Sequence, residues 1–156
     1  MKNISVARVK TNKACNKIAE VIADIRDKGY SLIAPFSIGR VEKRMKVFAE
    51  NHGIELGSVC VYINSRAISH AQRETKKGKG LAVPESALVS FPVARRKMDV
   101  YFDGAVFVYT DYKNKFVVHP NYDIKISRKR KRKVTFVTAG VVTDVNEFIL
   151  PKYKKI

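Results

Sequence analysis

Apolar residues return every three or four positions through NKACNKIAEVIADIRDKG, which places Ala14, Ile18, Val21, Ile22 and Ile25 on one stripe. That spacing predicts a helix, with Asn12 as its start and Gly29 as its stop. SLIAP is too short to assign. A second helical period runs through SIGRVEKRMKVFAENHG, with Ser37 as cap, Val41, Met45 and Phe48 on one face, and Gly53 at the end. SVCVYI is short and rich in β-branched residues, as a strand is. NSRAISHAQRE returns to helix: Asn64 or Ser65 caps it, and Ala67, Ile68 and Ala71 face inward. The glycines of TKKGKG break it. VPESALVSFP suits a short helix bounded by Pro92.

From Lys97 the period changes to two. KMDVYF, AVFVYT, KFVVH, YDIKI and KVTFVTAGVV read as strands, with Asp103-Gly104 and the stretch from Asp111 to Asn114 at hairpin positions. Helices first and strands later, with no repeat and no linker, predict one α+β domain over residues 1–156. Its helical N-terminal part, 1–55, is expected to pack on a C-terminal antiparallel sheet.

Charge narrows the choice of partner. The chain of 156 residues carries a formal charge of +17, spread as +6 over 1–50, +4 over 51–100 and +7 over 101–156. The fold itself is basic, with no separate basic tail on a neutral domain. A field of this sign attracts polyanions. Membrane surfaces also attract cations, but neither a wide apolar helix face nor a lipidation signal is evident. Nucleic acid is therefore the expected partner. Basic at its start, MKNISVARVKTNK lacks an apolar export core, and no run of about 18 apolar residues follows, so a cytoplasmic, non-membrane protein is expected. Cys15 and Cys60 form no C-x-x-C pair and read as reduced, buried thiols.

Arg128, Lys129, Arg130, Lys131, Arg132 and Lys133 are consecutive and lie between two strands. Mutual repulsion requires that loop to be exposed, where it is a solvated tip, a localisation signal or a grip on a polyanion backbone. Arg95 and Arg96 add to the same basic surface.

His70 is the leading candidate for chemistry. A neutral imidazole accepts a proton near pH 7. Arg66 lies four positions before it and Arg73 three after, so both can share its helix face, and Lys76, Lys77 and Lys79 follow. Cleavage of a phosphodiester needs a base, and cations against the charge that grows on the phosphorus-bound oxygens. RNA carries its own nucleophile, the 2′-hydroxyl, so no metal and no other cofactor is called for. His119 is the other plausible imidazole, as a proton donor to the leaving oxygen or as a turn marker before Pro120, since His52 sits at a helix end beside Gly53. Thr135 and Thr138 have opposite parity, so at most one faces a given cleft. A metal-dependent alternative would join Asp123 and Lys125 with Asp103 or Asp111.

The run VCVYINSRAISHAQR…LAVPESALVSFPVARRKMDVYF resembles the barnase, EndoU, colicin E5/D and RelE-like ribonuclease group, especially its small phage-encoded members. Three features carry the resemblance over 58–145: a strand and short helix ending in histidine, a short helix with a downstream proline in ESALVSFP, and a last strand bearing threonine in KVTFVTAGV. Residues 1–55 lie outside it. The resemblance implies a nuclease-like core of helices against an antiparallel sheet, metal-free cleavage of RNA, and in many members toxicity through host RNA. It implies His70 as acid/base, Arg73 or a following lysine on the phosphate, and Thr138 as the late-strand hydroxyl. A protein inhibitor is then a candidate second partner.

Three functions fit the sequence: an endoribonuclease of structured RNA, a non-catalytic nucleic-acid binder of a phage or mobile element, and a basic particle-associated structural protein. Whichever holds, binding to a polyanion should weaken steeply as salt rises, because contact releases counterions. Affinity for RNA that stays constant between low and physiological salt would contradict this.

Overall fold

In the computed structural model the described residues are 2–125 and 127–156, with the side chains of 2–12, Glu74 and Thr75 outside the description. Helix α1, Lys2–Lys28, begins ten residues before the expected start, and the expected cap, the side chain of Asn12, lies outside the described residues. Ala14, Ile18, Val21 and Ile22 are buried along one stripe, as the period requires. Gly29, at φ +83°, ends the helix, its amide reaching Ile25 O at 2.8 Å.

Strand β1, Phe36–Arg40, takes the first part of the segment expected to be the second helix, and α2, Lys43–Asn51, keeps only the rest. The reason is local. Phe36 and Ile38 alternate into the core, and Gly39 adopts φ +131°, a conformation no helix contains. Then follow β2 (Cys60–Ile63), α3 (Ser65–Ala71), the short α4 (Glu74–Gly78) and α5 (Glu85–Ala94). Pro92 sits in the last turn of α5 and does not stop it: only one intrahelical bond is lost there, and its carbonyl accepts Arg95 Nε at 3.2 Å.

The second half gives β3 (Asp99–Phe102), β4 (Phe107–Thr110), β5 (Asn114–Lys125), β6 (Lys131–Val142) and the two-residue β7 (Lys154–Lys155). Both expected hairpin turns form. Asp103 Oδ1 accepts from Ala105 N and Val106 N, and Asp111 Oδ1 from Lys113 N and Asn114 N, all at 2.8–2.9 Å. KFVVH and YDIK join into one strand, β5, whose register shifts between Val117 and Val118 and again between His119 and Tyr122, across Pro120; Ile126 lies outside the described residues.

The architecture is α+β, but not helices stacked on a purely C-terminal antiparallel sheet. Among the described residues one sheet runs β1-β2-β6-β5-β4-β3-β7. Strand β1 comes from the part expected to be helical, β2 is the strand expected at SVCVYI, and β2 pairs with β6 in parallel through Val61↔Thr135 and Tyr62↔Phe136. That parallel step forces a crossover, which α3, α4 and α5 begin.

One face of the sheet meets α1, α2, α3 and α5 in a core that includes Ile18, Val21, Met45, Ile68, Leu88, Phe91, Val100, Phe107, Phe116 and Val137. The other face is closed over β3 by the C-terminal segment, where Phe148 stacks on Tyr101 at 4.7 Å. Farther along, the same face carries Tyr62, Phe136 and Tyr122.

Arg95, expected on the nucleic-acid surface, is only 2 % exposed and belongs to the core. Its guanidinium fills the space a Cβ on Gly39 would occupy, and Nη1 meets Glu42 Oε1 at 3.4 Å. Arg44 closes the cluster, Nε donating to Glu42 Oε2 at 2.8 Å and Nη2 to Arg95 O at 3.2 Å. Burying a cation requires its counter-charge. Glu42→Ala should therefore cost about 3–5 kcal/mol in urea unfolding, whereas Arg95→Met, which removes the buried charge as well, should cost less. Equal losses, or a loss below about 1 kcal/mol for Glu42→Ala, would contradict this role.

Candidate nucleic-acid groove

Asn64 settles where α3 starts. Its Oδ1 accepts from Ala67 N at 2.9 Å, an N-cap in extended conformation, so Ser65 is the first helical residue. With that start fixed, Ala67, Ile68 and Ala71 are buried, while Arg66 and His70, one turn apart, share another face. α3 packs against β6 and α1. Its Arg66–His70 side turns past β6 toward the sheet's second face.

A groove of about 520 Å³ lies there, lined from α3 by Asn64, Arg66, Ala67 and His70, from β5 by Tyr122 to Lys125, and from β6 by Phe136 and Thr138, with Pro35 at its end. His70 and Arg66 also line a smaller cavity of about 220 Å³ with Tyr30, Ser31, Ser65 and Ser69. The imidazole is thus half-buried where two depressions meet. Desolvation lowers its proton affinity first, and the charges of Arg73, Arg66 and Lys76 lower it further. The ring is held in the neutral form at pH 7, able to take up a proton or a hydrogen bond.

Thr138 lines the same groove, whereas Thr135 is fully buried, as opposite parity demands. The Thr135 hydroxyl donates to Pro120 O at 3.0 Å. Thr138 Oγ1 lies 3.5 Å from Val117 O, too far for a firm bond, which leaves its proton available to an incoming acceptor.

Arg73 does not line the His70 groove. It opens onto a separate depression of about 720 Å³ together with Arg26, Lys77 and Glu85, and reaches His70 through its field. Lys76 donates from Nζ to Gly140 O at 3.1 Å, tying the α4 region to β6. Lys79 and Arg96 are exposed. The six basic residues from Arg128 to Lys133 are all exposed too, but only the first three form the turn. Lys131, Arg132 and Lys133 belong to β6 and pair with Lys125, Ile124 and Asp123, so this basic run continues from the groove's wall. The guanidinium of Arg132 lies 5.6 Å over the Tyr62 ring.

His119 stands outside this groove. Its Nδ1 accepts from Asn121 N at 3.3 Å and its ring meets the Tyr122 edge-on at 5.4 Å. His52 stacks on Phe48 at 4.0 Å. Asp103 and Asp111 hold turns, and among the described residues no three His, Cys, Asp or Glu side chains gather into a group that could hold a metal ion. Cys15 and Cys60 are free and half-buried, more accessible than expected, and burial pushes the Cys15 thiol up. Among the described residues no helix is long and apolar enough to cross a membrane.

Tyr122 and Lys125 are the groove residues that sequence reasoning passed over as nucleic-acid contacts. The only signal was the period-two run YDIK, and the register shift between His119 and Tyr122 hides which face that run presents.

Because Arg73 acts on His70 through charge, Arg73→Gln should raise the imidazole pKa, removing a cation being favourable to imidazolium. In an NMR titration the native ring should titrate below the ordinary value near 6.5 and the variant closer to it. Identical midpoints would contradict the electrostatic link. No family model, curated protein or solved structure matches the chain, so a functional reading rests on this groove.

Proposed function

We propose that this protein is a metal-independent endoribonuclease acting on structured RNA. The observation that carries the reading is a neutral imidazole, His70, sharing one concave basic groove with Arg66 and the weakly engaged hydroxyl of Thr138. The resemblance to the barnase, EndoU, colicin E5/D and RelE-like group gives His70 and Thr138 the same parts.

In this mechanism His70 removes the proton of a 2′-hydroxyl. The freed oxygen bonds to the adjacent phosphorus and the bond from phosphorus to the 5′-oxygen breaks. Water protonates the departing oxygen, leaving a 2′,3′-cyclic phosphate and a 5′-hydroxyl. Arg66 faces the charge that builds on the non-bridging oxygens, and Thr138 donates a hydrogen bond to one of them. Arg73 keeps the imidazole neutral from outside the groove, a change from the direct phosphate contact expected of it.

A second reading, a nucleic-acid binder without catalysis, is favoured by one observation: among the described residues no second imidazole lines the groove to protonate the leaving group. The two separate cleanly. With RNA and excess chelator, the nuclease reading predicts cleavage that His70→Ala lowers by about 10²–10⁴-fold, the usual weight of a general base. Its pH profile should fall on the acid side with a midpoint below the ordinary imidazole value near 6.5, as the ring becomes protonated. Tight, salt-sensitive binding with intact RNA supports the binder. Cleavage that vanishes with chelator, or survives His70→Ala unchanged, overturns the nuclease.

A further inference from the structure

Tyr122 is 41 % exposed, an uneconomical position for a large ring unless something covers it in use. The ring is not loose. Phe136 lies beneath it at 5.2 Å and 9° from parallel, and His119 meets it edge-on. Tyr122 lines the groove together with Arg66, His70 and Lys125. Tyr62, paired with Phe136 across β2 and β6, extends the aromatic surface and carries Arg132 over its ring. A flat ring stacked on Phe136, in a groove that also holds Arg66 and Lys125, meets the two needs of an unpaired nucleotide: a π-face for the base and positive charge for its phosphates. The groove's volume of about 520 Å³ suits a ligand of that size. Asp123, the anion in the groove, repels phosphate and offers an acceptor to the N–H groups of a base edge.

We infer that Tyr122 is the stacking platform for a single unpaired base, with Arg66 and Lys125 holding the flanking phosphates, so that the groove selects single-stranded over double-stranded RNA. A base inside a duplex is already stacked on both faces and cannot reach the ring. The inference rests on the nucleic-acid part of the proposed function and gives it a specificity: the target is an exposed loop or bulge in a structured RNA.

The test uses a short 2′-O-methyl oligonucleotide, which cannot be cleaved by 2′-hydroxyl attack, containing one 2-aminopurine, alone and as a duplex. The full-length protein should bind the single strand more tightly than the duplex and quench the 2-aminopurine on binding. Tyr122→Leu keeps an apolar cover on Phe136 but has no π-face. It should lose the quenching and weaken single-strand binding roughly 5- to 150-fold, the range for one stacked base. Tyr122→Phe should keep both, and duplex binding should be equal in all three. Full quenching and affinity in Tyr122→Leu, or a Tyr122→Phe as poor as Tyr122→Leu, overturns the platform. Equal binding of single strand and duplex by the native protein, with RNA cleavage still dependent on His70, overturns the platform alone. Failure of the native protein to bind either form overturns the nucleic-acid reading beneath it.

Discussion

Thr135 ties together parts of the chain that are far apart in sequence. Its amide donates to Ser58 Oγ at 2.9 Å and its hydroxyl to Pro120 O at 3.0 Å, fully out of solvent. Ser58 Oγ in turn donates to Cys60 O at 2.6 Å, and Gly57 N to Pro120 O at 2.9 Å. These bonds lie just before β2 and help set it against β6 in parallel, where Val61 and Tyr62 are in register with Thr135 and Phe136. A buried hydroxyl with its partner made is modest in net worth, but left unmade it costs the full loss of hydration. The register of β2 is therefore pinned, and with it the point where the chain leaves the sheet.

That exit point decides the groove. Ile63 ends the strand, Asn64 caps the next helix, and His70 follows one and a half turns later. Because α3 lies along β6, Arg66 and His70 come to the edge of the same strand that presents Phe136 and Thr138. A slip of one residue in β2 would turn Val61 and Ile63 out of the core and carry α3 with them. Gly57 shows how tightly the approach is set: a Cβ there would stand 2.7 Å from Val134 N and 2.8 Å from Asn121 Oδ1. The position of His70 thus depends on packing some distance from it. Burial lowers the proton affinity of the imidazole most, and the cations that lower it further come from α3 and the segment after it.

How much of this the sequence disclosed depends on whether the determining contact is local. The α1 stripe, the two aspartate turns and the inward face of α3 follow from periodicity and short-range hydrogen bonding, and all were readable. Strand β1 was not, because Val41, Met45 and Phe48 keep a helical period that reads straight back into Ser37, and only the pocket for Arg95 demands the backbone of Gly39. The parallel pairing and the burial of Arg95 are long-range facts with no local sign. For the groove, spacing brought Arg66 and His70 together, and parity separated Thr138 from Thr135. Arg73 was misplaced because α3 ends at Ala71, so helical spacing no longer applies two residues later. Tyr122 was missed because the irregular pairing around Pro120 breaks the alternation that would assign its face.

The proposed cleavage requires a neutral imidazole acting as base beside a docked RNA backbone. The most direct measurement is end-group mapping of total cellular RNA after incubation with the protein in excess chelator. New ends bearing a 2′,3′-cyclic phosphate and a 5′-hydroxyl, at unpaired positions, are the predicted result. RNA that remains whole, or fragments with 3′-hydroxyl and 5′-phosphate ends, would contradict it.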